Sequence, residues 1–155
     1  MTNDVIGTPP PVDADTTARG VPHLGFFLGS ELYSVPLTRL REVSRLTRLR
    51  LIPGAAAYVA GLVNLRGEIV CALDTHTILG LERSAGAEYL IALRDFDYPV
   101  GLVVDSIADV FAVDPEATQA PPDTWRGERA AFVTGVCEVA SGLMGLIDLD
   151  RVVRR

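Results

Sequence analysis

The sequence predicts an all-β chain folded as two small barrels of like topology. Three observations predict it. Short apolar runs rich in Val, Leu and Phe alternate with turn signals from Leu24 onward, and no stretch keeps a helical period for more than about two turns. A pattern in the first half also recurs in the second. At 155 residues the chain suits one domain or two small subdomains with a common core, and 48% hydrophobic against 22% charged residues excludes a disordered chain.

Taken in order, residues 1–23 carry Pro9-Pro10-Pro11, scattered Asp and Thr, and no apolar period. They are expected to form a disordered tail, leaving 24–155 as the folded domain. Runs at 24–28 and 32–37 flank Gly29-Ser30-Glu31, a hairpin signal. Residues 40–52 read as a strand or a bent pair of strands with outward Arg. Residues 55–60, between Pro53-Gly54 and Gly61, read as a short helix, because Pro stops extension backwards and Gly supplies a left-handed cap. A second hairpin joins 62–65 to 68–73 around Arg66-Gly67, and a third joins 89–93 to 100–104 around Phe96-Asp97-Tyr98-Pro99. Asp114-Pro115 and Pro121-Pro122 break the chain before two last strands, 132–139 and 143–147, and Asp148 is placed to cap a short C-terminal helix.

The repeat has two blocks. Residues 61–74 align without gaps on 135–148, with the opening Gly, the closing Asp and most apolar positions shared, and residues 35–43 align on 102–110. Two matches in the same order imply two barrels of like topology with a common interface, a natural groove for a partner. Asp74 and Asp148 then stand at equivalent positions before short helices, where a carboxylate caps free N–H groups, and this reading outweighs a role for them as paired acid–base carboxylates.

A net charge of −6 argues against nucleic acid or anionic lipid as a general partner. All fourteen basic residues are Arg, so no Schiff-base or phosphate-loop lysine exists. The apolar stretch 55–63 is far too short to cross a bilayer, and residues 1–23 lack the regions of a signal peptide, so the chain reads as cytoplasmic. Cys71 and Cys137 sit in apolar segments and are expected to be packed thiols, and His23 and His76 have no ligand spacing. No cofactor and no metal are expected.

The series 25–29, 31–36, Arg41-Glu42-Val43, Pro53-Gly54 through Tyr58-Val59, Asn64-Leu65-Arg66-Gly67 with the apolar strand and Asp74 after it, and Gly101-Leu102-Val103-Val104-Asp105 resembles the CheW-like family of chemotaxis coupling proteins. The resemblance covers about residues 24–155. One departure stands out: the family commonly has Pro-Val-Val-Asp-Leu-Arg after the Asn-Leu-Arg-Gly strand, whereas this chain has Cys71-Ala72-Leu73-Asp74-Thr75-His76. The resemblance implies two SH3-like five-stranded barrels and a non-enzymatic adaptor at membrane-associated receptor arrays. Its implied partners are the regulatory domain of a CheA-type histidine kinase and the cytoplasmic tip of methyl-accepting chemotaxis receptors, without membrane insertion.

The resemblance also implies receptor contacts at Arg66, Glu42 and Asn64 and kinase contacts at Leu37 and Leu40. Read from the residues alone, Arg66 is either a solvated turn residue or a partner contact, and Glu42 either a plain surface carboxylate or a contact. Leu37 and Leu40 are either core or the apolar centre of a docking surface. Trp125, in a Pro-rich loop, either covers that loop or anchors a partner. Two rival readings are a small β-barrel ligand-binding protein or enzyme, which calls for a closed pocket of convergent titratable groups, and a single-stranded nucleic-acid module, which the acidic balance disfavours.

Overall fold

The structure is a computed structural model and describes residues 5–7, 20–82 and 86–154, the first three by backbone alone. Eleven strands follow one another along the described chain: β1 (Val5–Gly7), β2 (Val21–Leu28), β3 (Glu31–Pro36), β4 (Leu40–Arg45), β5 (Val59–Leu65), β6 (Glu68–Asp74), β7 (Tyr89–Leu93), β8 (Val100–Val104), β9 (Ser106–Val113), β10 (Val133–Val139) and β11 (Gly142–Ile147). Three short helices accompany them, α1 (Thr75–Ile78), α2 (Glu128–Phe132) and α3 (Leu149–Val153), with 3-10 turns at Leu37–Arg39 and Pro115–Ala117.

The strands form two sheets, ordered β1-β4-β7-β8-β6-β5 and β10-β11-β3-β2-β9. Setting β1 aside, the first sheet read backwards has the same plan as the second: a hairpin, a parallel neighbour, and two antiparallel strands. The repeat seen in the sequence is therefore structural, and it holds to the single residue. Cys71 faces Val100 across β6 and β8, and at the two repeat offsets Gly145 faces Tyr33 across β11 and β3. The isolated bridges Arg50–Leu62 and Gln119–Val136 recur in the same way. So do the bonds from Asp74 N–H to the Tyr58 carbonyl and from Asp148 N–H to the Phe132 carbonyl, at 2.7 and 2.9 Å.

The shared glycine that opens each block has a physical reason. A Cβ on Gly61 would stand 2.7 Å from the Arg50 carbonyl oxygen, and one on Gly135 would stand 2.8 Å from that of Gln119. Each bridge strand lies against its hairpin too closely for any side chain there.

Three apolar cores result. One is internal to the first sheet, with Val63, Leu65, Val70, Leu90 and Val103. Another is internal to the second, with Leu32, Val113, Cys137, Met144 and Leu146. The third lies between the sheets and joins Phe26, Tyr33 and Val35 to Leu73, Leu102, Val104 and Val152. Strand β8 is buried along its whole length because it serves two of these cores, Leu102 and Val104 on one side and Val103 on the other.

Several expectations change. The chain has the two-subdomain SH3-like architecture, but the edge strands of each sheet are not hydrogen-bonded to each other, so the barrels are curled open sheets. Residues 55–60 form no helix: two successive turns, with Ala55 N–H bonded to the Ile52 carbonyl and Val59 N–H to that of Ala56, lead directly into β5. A segment that must enter a strand at Val59 is too short to offset the cost of helix nucleation. The expected strand at 40–52 stops at Arg45, and β9 is a strand that only the repeat alignment hinted at. Order begins before Leu24, because Val21 and Pro22 pair with Val113 and Ala112. Val5–Gly7 lies beside β4, opposite Ser44 and Val43, while the rest of the expected tail up to residue 19 lies outside the described residues.

Candidate functional site

The β5–β6 hairpin closes through Arg66 and Gly67, whose φ angles of 53° and 85° are both positive. Two consecutive left-handed residues make the tight turn whose twist matches the flanking strands. Gly accepts this freely, whereas Arg66 carries a side chain where L-residues are strained by roughly 1–2 kcal/mol. Asn64 steadies the turn: its Oδ1 accepts the Gly67 N–H at 2.9 Å.

Sheet curvature brings this tip over β4. Glu42, only 7% exposed, lies between two guanidinium groups, with Arg66 Nε 3.6 Å from its Oε2 and Arg41 Nε 3.8 Å from its Oε1. Arg41 also reaches Glu68 on β6 through a hydrogen bond. Arg66, Glu42, Arg41 and Glu68 thus alternate in sign across the tip. The Arg66 contact is longer than a hydrogen bond, and Glu42 Oε2 accepts none among the described residues. Arg66 itself is 61% exposed. The three residues assigned to the receptor therefore do converge, but in two roles: Asn64 builds the turn, while Arg66 and Glu42 form a half-satisfied ion pair at its surface.

The pair assigned to the kinase separates. Leu40 is 2% exposed and belongs to the core between the sheets, so it is not a surface contact. The β4 register explains this: Leu40 faces Leu93 and shares the inward side of the sheet with it. Leu37, on the 3-10 turn, is half-buried against the same core.

An apolar surface lies elsewhere, on the outer face of the β5–β6 hairpin. A groove of about 460 Å³ is lined by Thr47, Arg48, Arg50, Leu62, Asn64 and Ile69. Ile69 is 53% exposed, and Leu51 and Ile52, next to Arg50, are exposed too. Strand alternation accounts for the exposure of Ile69. Along Glu68-Ile69-Val70-Cys71-Ala72 side chains alternate faces, so the burial of Val70 and Ala72 turns Ile69 outward. Its repeat counterpart Leu143 is also exposed, at 44%. Along the chain Arg39, Arg41, Arg45, Arg48 and Arg50 make a basic run in an acidic protein with Glu42 as the one acid among them, and Arg48 and Arg50 line the groove.

Trp125 is neither fully covered nor fully exposed. Half-buried, it packs on Tyr33 with ring centroids 6.2 Å apart, and the Arg129 guanidinium lies 3.8 Å above it. Arg129 Nε donates to the Tyr33 hydroxyl at 3.1 Å, and Arg129 also bonds Glu31. Burial, reinforced by Glu31, pushes the Tyr33 hydroxyl far above the ordinary phenol range.

Asp74 and Asp148 are caps. Asp74 Oδ1 accepts Thr77 N–H at 3.3 Å, and Asp148 Oδ1 accepts Arg151 N–H at 3.2 Å. Burial raises both thiols, Cys71 and Cys137, which leaves them protonated packing groups. Among the described residues no three His, Cys, Asp or Glu side chains are grouped to hold a metal ion, and no helix is long and apolar enough to cross a membrane.

The chain's sequence and fold are shared with known proteins. The CheW-like domain model matches residues 22–155. The chemotaxis protein CheW of Treponema pallidum (strain Nichols) is 33% identical over 133 residues, 82% of this chain and 78% of that protein. The chain belongs to the CheW-like family. Further relatives are the chemotaxis protein CheW of Rhizobium meliloti (strain 1021), 28% identical over 83% of this chain and 84% of its own length, and protein PilI of Pseudomonas aeruginosa, 29% identical over 64% of this chain and 58% of its own length. The crystal structure of the scaffolding protein TtCheW from Thermoanaerobacter tengcongensis shares the fold, with a TM-score of 0.74, 24% identity and coverage of 86% of this chain and 92% of that one. This CheW-like chain is accordingly an adaptor of chemosensory signalling.

Proposed function

We propose that the chain joins a CheA-type histidine kinase, through that kinase's regulatory domain, to the cytoplasmic tip of methyl-accepting receptors, and carries out no chemical step itself. The observation that supports this reading is the Arg66–Glu42 pair. A non-glycine residue held at positive φ, with its guanidinium mostly exposed and the facing Oε2 of its partner carboxylate lacking a hydrogen bond among the described residues, stores strain and unmet polarity in a turn that Gly would close more cheaply. A receptor helix that supplies the missing donor to Glu42 and a carboxylate or carbonyl to Arg66 satisfies both. The outer groove with Leu62 and Ile69 takes the kinase, since exposed apolar anchors beside guanidinium groups have the composition of interface centres. Leu37 adds a half-exposed apolar edge, and Leu40 contributes only by holding β4 in place.

Two substitutions test the assignment together. Arg66→Gly removes the strained side chain, so the melting temperature is expected to hold or rise, by about 2–4 °C for each kcal/mol regained. Affinity for a receptor cytoplasmic fragment is expected to fall at least about tenfold, the equivalent of 1.4 kcal/mol. Ile69→Glu is expected to spare the fold and the receptor contact while abolishing capture of the kinase regulatory domain. Unchanged receptor affinity in Arg66→Gly returns Arg66 to an ordinary turn residue, and unchanged kinase capture in Ile69→Glu removes the groove from the interface.

A further inference from the structure

The described chain passes between the two sheets twice after β2, from β3 to β4 through the turn Leu37–Arg39 and from β8 to β9 through Asp105. Each crossing is gripped by the second residue of a short helix, at positions that the repeat makes equivalent: His76 in α1 and Asp150 in α3. At the β8–β9 crossing, His76 Nε2–H donates to Asp105 Oδ2 at 3.2 Å, and the same oxygen accepts the N–H of Gly29, in the β2–β3 turn of the other sheet, at 2.5 Å. At the β3–β4 crossing, the Arg39 fork donates to both carboxylate oxygens of Asp150, at 3.4 and 3.2 Å, with its guanidinium 4.5 Å above the Phe96 ring. The polarity is reversed between the two: base on the helix and acid on the crossing in one, acid on the helix and base on the crossing in the other.

Their surroundings differ. The His76 and Asp105 side chains are 3% and 13% exposed, whereas those of Arg39 and Asp150 are 23% and 60% exposed. The core that joins the sheets is apolar, and its packing limits the angle between them but supplies no directional bond. Directional polar pairs at the crossings supply what the core lacks.

We propose that these two pairs are the positioning residues that set the angle between the sheets, His76–Asp105 as a fixed pin and Arg39–Asp150 as a clasp that opens. A buried pair resists separation because each group then loses part of what compensates it for leaving water, whereas a pair with one partner exposed exchanges more readily with solvent. With the clasp open, the sheets turn about the pin by the small angle that the shared core allows. This assignment concerns the free protein and stands apart from the choice of partners.

The test places spin labels on Glu88→Cys, beside β7, and Ser141→Cys, at the tip of the β10–β11 hairpin, in a background with Cys71 and Cys137 changed to Ala. Pulsed electron–electron distance measurement on the free full chain reads the spread between the sheets. Arg39→Asp is expected to broaden and shift the distance distribution while the melting temperature changes little. Arg39→Asp combined with Asp150→Arg is expected to bring the parent distribution back, which a merely structural loss at Arg39 would not do. Hydrogen exchange gives an independent reading, since the Arg94 N–H bonds the Arg39 carbonyl and the Asp105 N–H bonds that of Phe27. Faster exchange is expected at Arg94 in Arg39→Asp, with Asp105 unchanged. A parental distribution in Arg39→Asp, or one equally broad in the charge-swapped double variant, overturns the proposal.

Discussion

At the scale of single residues, side chains of similar appearance in the sequence do opposite things. Leu40 and Ile69 are both aliphatic, both on strands, and both follow a charged residue or precede one; one fills the core between the sheets and the other faces solvent. His23 and His76 are both buried, yet His76 bonds a carboxylate while His23 Nδ1 donates to the Val21 carbonyl. Burial holds the His23 imidazole below its ordinary value of 6.5, with the Val21 bond offsetting only part of the effect. The unfolded chain therefore takes up a proton there that the folded chain refuses. The contribution of His23 to stability is full above pH 6.5 and is lost as the pH falls below it. Urea unfolding of the parent and of His23→Gln between about pH 7 and pH 5 is expected to show a shallower loss in the variant. Parallel curves would mean that His23 has the same proton affinity folded and unfolded.

At the scale of elements, local chemistry set the turns and caps. The Arg66-Gly67 hairpin, the β7–β8 hairpin and the Asp caps of α1 and α3 are legible because each depends on a few adjacent residues. The failed helix at 55–60 shows the limit: Pro, Gly and four Ala describe a helix well, but the demand that Val59 pair with Leu73 and Gly61 lie against Arg50 overrides propensity. The two caps are equivalent in geometry and unequal in surroundings. Asp148→Ala loses a cap and is expected to cost about 1 kcal/mol. Asp74→Ala also strips a carboxylate that lies 3.9 Å from the buried His76 Nδ1, so its cost is expected to be larger. Thermal unfolding of both variants gives the comparison, and equal losses would show that the carboxylate beside His76 contributes nothing beyond the cap.

At the scale of the whole molecule, the repeat and the subdomains do not coincide. The first repeat block pair takes β3 from one sheet and β4, β5 and β6 from the other, and the second takes β8 from the first sheet and β9, β10 and β11 from the second. Each repeat thus lends a strand to its twin, which explains why neither barrel could be cut out along the sequence. The boundary of the folded unit follows from the same pairing. Truncation of residues 1–19 keeps every pair between β2 and β9 and is expected to leave the melting temperature within about 4 °C of the parent, the scale of 1 kcal/mol for a chain of this size. Truncation of residues 1–22 removes the pairs of Val21 and Pro22 with Val113 and Ala112 and is expected to lower it further. Calorimetry on the two shortened chains decides, and a large loss on removing 1–19 would assign a stabilising role to that segment.

By itself the sequence determined the fold class, the repeat, the hairpins, the caps and the family, because these are written in alternation, in glycines that must approach a backbone, and in short motifs whose chemistry is local. The tertiary structure alone decided which leucines are core, where an apolar face is left in water, and that Glu42 lies under Arg66 with one oxygen unserved. It also decided that His76 and Asp150, alike only in their repeat position, grip the two crossings between the sheets. Those facts depend on how curved sheets bring residues distant in the chain to within a few ångströms, and no periodicity along a strand records the strand it will meet across the core.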